Sequence, residues 1–156
     1  MRKRSKLVAF AERSDLMRVD VKWGTERFRF NLYEELAITE NRINEEVKSH
    51  PTSYAFLNML YKKLILKKEH AESVMEKAWS SEYARQKRKI NPVTNRPTSD
   101  DLAKAKADTS PIVKARTEEY YSAKNDATIM EVAVKAFESR ANLIQTLSAN
   151  IRNDNK

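Results

Sequence analysis

The sequence predicts an all-α protein of long helices that form a helical-bundle oligomer, with a small β-hairpin near the N-terminus. Two long segments repeat apolar residues at intervals of three and four, as one face of a helix requires. The chain has one Gly and four Pro in 156 residues, so few positions interrupt a helix. Alternating apolar and charged residues flank that single Gly, a pattern typical of a hairpin.

The bulk composition narrows the classes of function. The chain has a net charge of +8 and a pI near 9.6, which favours an acidic partner such as nucleic acid, an anionic membrane or an acidic protein. Because the chain has no Cys, it has neither disulfides nor a thiolate zinc site. The apolar run at 7–11 is too short for a signal peptide. No stretch approaches the roughly twenty apolar residues of a membrane span, so we expect a cytoplasmic protein.

We divide the chain into a basic N-terminal arm over 1–32, a helical domain over 33–152 and a frayed tail over 153–156. The arm contains nine Lys or Arg and four Asp or Glu. Apolar and charged residues alternate on both sides of Gly24, which predicts the hairpin. An isolated hairpin is marginal in water. Its apolar face must therefore pack on the helices, pair with another subunit or become ordered on a ligand.

Two helices are predicted after the hairpin. The first covers 33–48, with Asn31 as its N-cap, and a break follows at Ser49-His50-Pro51. The second begins near Pro51, which suits a first helical turn, and continues to Lys89. Its apolar stripe consists of Tyr54, Leu57, Tyr61, Leu64, Ala71, Met75 and Ala78.

The rest of the chain predicts a loop followed by a short and a long helix. Ile90 to Thr98 is a loop, because the residue before a proline avoids the helical conformation. The short helix starts after Thr98-Ser99 and continues to about Ala107. The long helix starts at Pro111, continues to about Arg152 and is kinked or split at 124–126.

The second half of this last helix has heptad spacing, which fits either an oligomer seam or an antiparallel pair with the 51–89 helix. The apolar stripes are more extensive than one short chain covers, so several subunits, forming a homo-oligomer, are expected. The positions predicted at the oligomer interface are Leu57, Tyr61, Leu64, Val132, Ala136, Leu143 and Leu147.

Catalytic and metal-binding patterns are lacking. His50 and His70 are the two histidines, and neither stands at a recognised ligand spacing from another His or an acid. Phosphate-cradling loops need several glycines, and this chain has one. Acid pairs such as Asp100-Asp101 fit a helix first turn better than acid–base chemistry. We therefore expect a non-enzyme without cofactor or metal.

Basic residues concentrate at the C-terminal end of the 51–89 helix. From Arg85 to Arg96 there are five positive residues and no acid, which indicates a contact surface or a solvated connector. Trp79 and Tyr83 share a helix face. Aromatic residues beside cations are typical of sequence-tolerant single-strand binding, with Tyr83 expected to stack on bases and Trp79 to pack. The predicted nucleic-acid-binding residues are Lys62, Lys63, Lys67, Lys77, Tyr83, Arg85, Lys87, Arg88, Lys89 and Arg96.

Over roughly 36–151 the chain resembles the UvsY family of phage recombination mediators. Lys77, Ala78 and Tyr83 match the family's Lys-Ala-Arg and Tyr-Tyr-Ser-Gly run, with Trp79 in place of the Arg and without the Gly. Ser139-Arg140 matches a Ser-Arg pair near the end of the last helix, whereas the hairpin at 17–32 has no counterpart in the family. The resemblance implies a ring-like homo-oligomer in the host cytoplasm. Such a protein binds single-stranded DNA and helps load a RecA-like recombinase onto strands covered by single-strand-binding protein.

Two further classes of function fit the same sequence. A helical structural or assembly protein of a phage particle would also have an oligomer seam, no catalytic groups and basic charge. A basic adaptor for an acidic protein tail is a third class. The face shared by Trp79 and Tyr83 distinguishes the first two readings, since a DNA-binding protein leaves at least Tyr83 exposed and a structural protein buries both.

Overall fold

The computed structural model describes residues 6–38, 42–92 and 94–154. Most of these residues are helical and a small antiparallel hairpin lies near the N-terminus, so the predicted all-α fold with its hairpin is confirmed. Part of the predicted tail (155–156) and the cations at 2–4 lie outside the described residues. The helices are α1 (Lys6–Arg13), α2 (Leu32–Leu36), α3 (Ile43–Lys87), α4 (Asp100–Asp108) and α5 (Pro111–Asp154), and the strands are β1 (Arg18–Trp23), β2 (Glu26–Asn31), β3 (Ile90–Asn91) and β4 (Arg96–Pro97).

The chain divides into two compact units, at different places from the predicted arm and helical domain. The first unit comprises 1–64 and 126–156, and the second comprises 65–125. Both α3 and α5 contribute residues to each unit. The N-terminal arm is not a separate part, because its hairpin shares a core with the helices of the first unit.

The N-terminal hairpin follows the predicted alternation. Val19 pairs with Phe30 and Val21 with Phe28 across the two strands. Gly24 is the first of the two loop residues and has a φ of +61°, which is the glycine position of a type II′ turn. On the other face, Asp20 forms ion pairs with Arg27 at 2.6 Å and with Arg29 at 3.2 Å. The hairpin therefore presents one apolar and one charged face.

The apolar face of the hairpin is part of the core of the first unit. Val19 and Val21 are buried in one cluster with residues of α3 and α5. Packing on the helices is thus the alternative that the structure confirms. The buried members of the cluster are Val19, Val21, Leu32, Leu57, Leu60, Leu64, Ala127, Met130, Ala133, Val134 and Phe137.

Two predicted helix boundaries are wrong. The helix expected over 33–48 ends at Leu36, and α3 begins at Ile43 and continues through Pro51 without the expected break. A proline inside a helix removes one backbone hydrogen bond. Here the residues at 43, 50, 57 and 64 are all buried at heptad spacing, so packing of one continuous seam outweighs that loss.

The last helix is not split at 124–126, since α5 is continuous from Pro111 to Asp154. Ala123 and Ala127 are both buried on either side of the polar triplet. The local sequence is polar because these three positions do not belong to the buried stripe. Packing on both sides therefore keeps the helix intact.

The predicted oligomer interface is corrected at two positions. Leu57 and Leu64 are 5% and 0% exposed within a single chain, so they have no surface left for a partner. Tyr61 and Ala136 pack against the same core and are half-buried, as is Leu147. Val132 and Leu143 are 58% and 52% exposed, and for these two the interface remains a prediction.

A buried arginine connects three helices of the first unit. The Arg140 guanidinium donates to the backbone carbonyls of Leu36 and Ala37, at 3.3 and 3.0 Å. It also donates to Glu46 Oε2 at 2.5 Å and lies 3.0 Å from His50 Nδ1. Arg140 belongs to the stretch of α5 whose heptad spacing fits either an oligomer seam or a helix pair within the chain. Within the chain it binds the C-terminal end of α2, whose last carbonyls have no partner within their own helix.

The second unit contains the middle of the chain, 65–125. Helix α4 begins where predicted, with the Ser99 hydroxyl accepting from the Leu102 N–H at 3.4 Å. The predicted loop at 90–98 contains the short β3–β4 hairpin, in which Asn95 has a φ of +49°. Across the described residues, no helix combines the length and apolar character needed to cross a membrane.

His50 makes the stability of the first unit depend on pH. Burial, and then the charge of Arg140, lower the pKa of His50 below its usual value, against smaller opposite effects of the Phe137 backbone and Glu46. The unfolded chain, with a His pKa near 6.5, therefore binds a proton more readily than the folded chain. We expect full stability above about pH 6.5 and a loss of at most about 1.4 kcal/mol per pH unit as the pH falls toward the lower folded pKa.

Urea unfolding between pH 7.5 and 5.5 measures this dependence. His50→Phe retains an aromatic ring against Tyr54 and Phe137, whose rings stack on His50, and should flatten the curve. His70→Gln is the control, because His70 is exposed and its replacement should preserve the wild-type slope. Parallel curves for His50→Phe and the wild type would contradict the assignment to His50.

Candidate nucleic-acid interface

The predicted contact residues that the structure brings together lie in the second unit. They occupy the end of α3 and the segment that follows it, up to β4. We call this region, together with α4 up to residue 106, the basic end (82–106). Arg85, Arg88, Lys89 and Arg96 are exposed there, and Lys87 is half-buried. The cations between Arg85 and Arg96 therefore form a positively charged surface where α3 ends.

Two aromatic residues near the C-terminal end of α3 stack on each other. The rings of Trp79 and Tyr83 are nearly parallel, with their centroids 5.3 Å apart. Trp79 Nε1 donates to Asp108 at 2.6 Å, and the Tyr83 hydroxyl donates to Asp100. Both rings are half-buried. The expectation that Tyr83 is free while Trp79 packs is therefore revised, because the pair connects α3 to both ends of α4.

Asp100 is the centre of a charge network at the basic end. Its carboxylate accepts from the Tyr83 hydroxyl and forms ion pairs with Lys104 at 2.8 Å and Lys87 at 3.3 Å. These three partners, Lys104 foremost, hold the pKa of Asp100 well below its usual range. The same hydrogen bond raises the pKa of Tyr83, which keeps the phenol protonated. Asp100 thus neutralises part of the predicted cation cluster.

Glu82 is a second acid that compensates the basic end. It is 6% exposed, and its Oε1 accepts from Arg85 at 2.7 Å and Gln86 at 2.5 Å. Arg85 and then Gln86 lower the pKa of Glu82, so the carboxyl stays ionised. Arg85 is correspondingly a paired cation, and its guanidinium is oriented by the helix that carries it.

Four cations of the basic end have no such compensation. In the part of the chain that the structure describes, no carboxylate lies within ion-pair distance of Arg88, Lys89, Arg96 or Lys106. All four side chains are exposed. They come from the turn that follows α3, from β4 and from α4, so three segments contribute positive charge to the basic end.

The remaining predicted cations are placed differently. Lys62 and Lys63 belong to the first unit, where their ammonium groups lie over the Tyr61 ring at 5.8 Å and the Trp23 ring at 6.0 Å. Lys67 is half-buried and Lys77 is exposed, both in the α3 segment of the second unit. Two of the four lysines predicted on α3 therefore belong to the first unit, and two belong to the unit that contains the basic end.

Sequence reasoning missed several residues of the basic end. Lys104 follows Asp100 by four residues, so helical spacing alone could have identified that pair. The approach of Asp100 to Tyr83 and Lys87 has no such local signal. Lys106 was not assigned because α4 was treated as a short connecting helix. Within the described ranges, no group of three or more His, Asp or Glu is placed to hold a metal ion.

Comparisons of this chain with protein-family models, curated proteins and solved structures give no significant match.

The hydrogen bond from Trp79 to Asp108 yields a stability prediction. Trp79→Phe keeps a ring that stacks on Tyr83 but loses the indole N–H, so we expect a loss of about 0.5–1.5 kcal/mol in the free energy of unfolding. Trp79→Ala also loses the ring pair and should lose roughly a further 0.5–1.5 kcal/mol. Urea unfolding followed by circular dichroism measures both variants.

Trp23→Phe is the matched control, because Trp23 is the other tryptophan and is partly exposed on the hairpin. It should change stability less than Trp79→Phe. Equal stability of Trp79→Ala and the wild type would show that the aromatic pair does not hold α3 and α4 together.

Proposed function

We propose that this protein binds single-stranded DNA through the basic end and acts as a non-catalytic recombination mediator, helping to load a RecA-like recombinase. The observation that supports the binding step best is the group of exposed cations without carboxylate partners, Arg88, Lys89 and Arg96, in the unit that also contains the stacked Trp79–Tyr83 pair. The mediator role rests on the resemblance to the UvsY family.

The pattern of pairing favours a polyanion as the ligand. A cation that already has a carboxylate partner gains less from a phosphate, since the new contact replaces an existing one. Arg85 and Lys87 are held by Glu82 and Asp100, whereas Arg88, Lys89 and Arg96 are not. These three cations are therefore the ones whose counterions a bound phosphate backbone would release.

The aromatic pair favours single strands over duplexes. One face of Tyr83 lies against Trp79, so a base would stack on the opposite side of the pair. Exposed apolar side chains of the basic end add contact area, since Ile90 is 62% and Leu102 is 45% exposed. Stacking on such surfaces is tolerant of sequence and needs unpaired bases.

Exposed apolar residues in the first unit suit the oligomer that a mediator of this kind forms. Val132 and Leu143 lie eleven residues apart, three helical turns, and so share a face of α5. Phe56 and Met59 are 49% and 66% exposed on α3. Exposed apolar patches of this kind mark interaction sites. The same residues also favour the alternative, a structural or assembly protein of a phage particle without a nucleic-acid role.

Neutralising the uncompensated cations tests DNA binding. Arg88→Gln/Lys89→Gln/Arg96→Gln should weaken binding of a single-stranded oligonucleotide and reduce the salt slope by roughly 0.7 per lost phosphate contact, about 2 in all. Folding should be unchanged, because the three side chains are exposed. Fluorescence anisotropy across a salt series measures affinity and slope.

The control carries the same change of charge elsewhere. Arg42, Arg116 and Lys135 each pair with a glutamate three or four residues away along the chain, and their triple Gln variant should keep the wild-type slope. If both triple variants have the same salt slope, the basic end is not the DNA-binding site. Absence of binding by the wild type would leave the structural-protein alternative.

Charges on the exposed apolar face of α5 test oligomerisation. Val132→Glu/Leu143→Glu should reduce the number of subunits, because a buried carboxylate in an apolar interface is unfavourable. The melting temperature should change little, since both positions are exposed in the single chain. Sedimentation velocity at micromolar concentration measures the assembly, and a wild-type monomer would contradict the proposed oligomer.

A further inference from the structure

An open pocket of about 720 Å³ lies between the β3–β4 hairpin and α4 in the second unit. Three cations line it: Lys89 just after α3, Arg96 on β4 and Lys106 on α4. The described lining includes no carboxylate. Lys106 is the one of these three cations that the proposed function does not assign to DNA binding.

A buried threonine, Thr98, connects the β3–β4 hairpin by hydrogen bonds to the segment that follows α3. The Thr98 backbone N–H and hydroxyl both donate to the Lys89 carbonyl, each at 2.9 Å. Thr98 is 7% exposed. Together with the pairing of Ile90 with Pro97, these bonds set the backbone around Lys89 and Arg96. The cations at the pocket therefore project from a defined backbone rather than from a loose loop.

Acidic residues close by in the sequence do not pair with the cations that line the pocket. Asp100 lies in the first turn of α4 but is occupied by Lys104, Lys87 and Tyr83, and it does not line the pocket. The Ser99 hydroxyl accepts the Leu102 N–H. Its own proton is therefore left for an acceptor oxygen in the pocket.

The pocket also has apolar walls. Ile90 and Leu102 line it and are among the more exposed large apolar side chains of the second unit. A purely inorganic anion would use the cations and leave these walls in water. A ligand with a negative group attached to a flat apolar ring would use both.

We infer that this pocket binds one nucleotide unit, with its phosphate at Lys89, Arg96 and Lys106 and its base against Ile90 and Leu102. The inference rests on the proposed function for the source of that unit, one residue of a single-stranded DNA chain. A free nucleotide carries the same chemistry, and the experiment separates the two sources.

The experiment uses the full ¹⁵N-labelled chain with three probes: thymidine 5′-monophosphate, thymidine and a short oligothymidine strand. The monophosphate and the strand should shift the amide signals of Thr98, Ser99 and Leu102, and thymidine should shift them much less. Lys106→Gln should weaken binding of the monophosphate about tenfold, the effect of one lost charge-assisted hydrogen bond. Lys114→Gln is the control, an exposed lysine of α5 outside the pocket.

Each outcome separates this inference from the proposed function. If the strand binds but the pocket amides do not shift and Lys106→Gln binds like the wild type, the pocket inference is overturned and the proposed function stands. If the monophosphate binds in the pocket while the strand does not bind, the proposed function fails and the pocket takes free nucleotides. If inorganic phosphate reproduces every effect of the monophosphate, the role of Ile90 and Leu102 is overturned.

Discussion

The first unit depends on one buried guanidinium. Arg140 is 8% exposed, and its donors satisfy two carbonyls at the end of α2, a carboxylate of α3 and a ring nitrogen of His50. Removing such a group leaves buried partners unsatisfied, with a typical loss of roughly 3–5 kcal/mol. Because β2 leads directly into α2, the same contact constrains where the hairpin can meet the helices. Val19 and Val21 of that hairpin lie in the same core as the helices.

In the second unit, most cations of the basic end are exposed, whereas Arg140 of the first unit is buried. Two acids of the basic end, Glu82 and Asp100, are each paired with neighbouring cations, and four further cations there are exposed without an ion pair in the part of the chain that the structure describes. In the first unit an arginine is surrounded by acceptors of the same chain, whereas Arg88 and Arg96 have none among the described residues. One residue type thus serves folding in one unit and, we propose, recognition in the other. Counting charges along the sequence does not distinguish these two uses.

Features set by local chemistry were predictable from the sequence. The turn at Gly24, the cap at Ser99 and the start at Pro111 depend on neighbouring residues alone, and all are found. The break expected at 49–51 and a split at 124–126 are absent because buried positions on both sides hold the helix together. The heptad spacing around Arg140 left an oligomer seam and an intramolecular helix pair open, since such spacing specifies a buried face but not what covers it. In the candidate site, the run from Arg85 to Arg96 was visible, but Asp100 meets Tyr83 only once α4 packs on α3.

The small core of the second unit has a thermodynamic consequence. Among its described residues, the buried apolar side chains are one valine and three alanines, Val113, Ala103, Ala107 and Ala123. So little buried apolar area gives a modest driving force for folding. A ligand that binds only the folded form adds about 2.7 kcal/mol at a hundredfold excess over its Kd. Ligand binding at the basic end would therefore slow the exchange of backbone amide hydrogens of this unit with solvent. Binding and local folding would then be thermodynamically coupled.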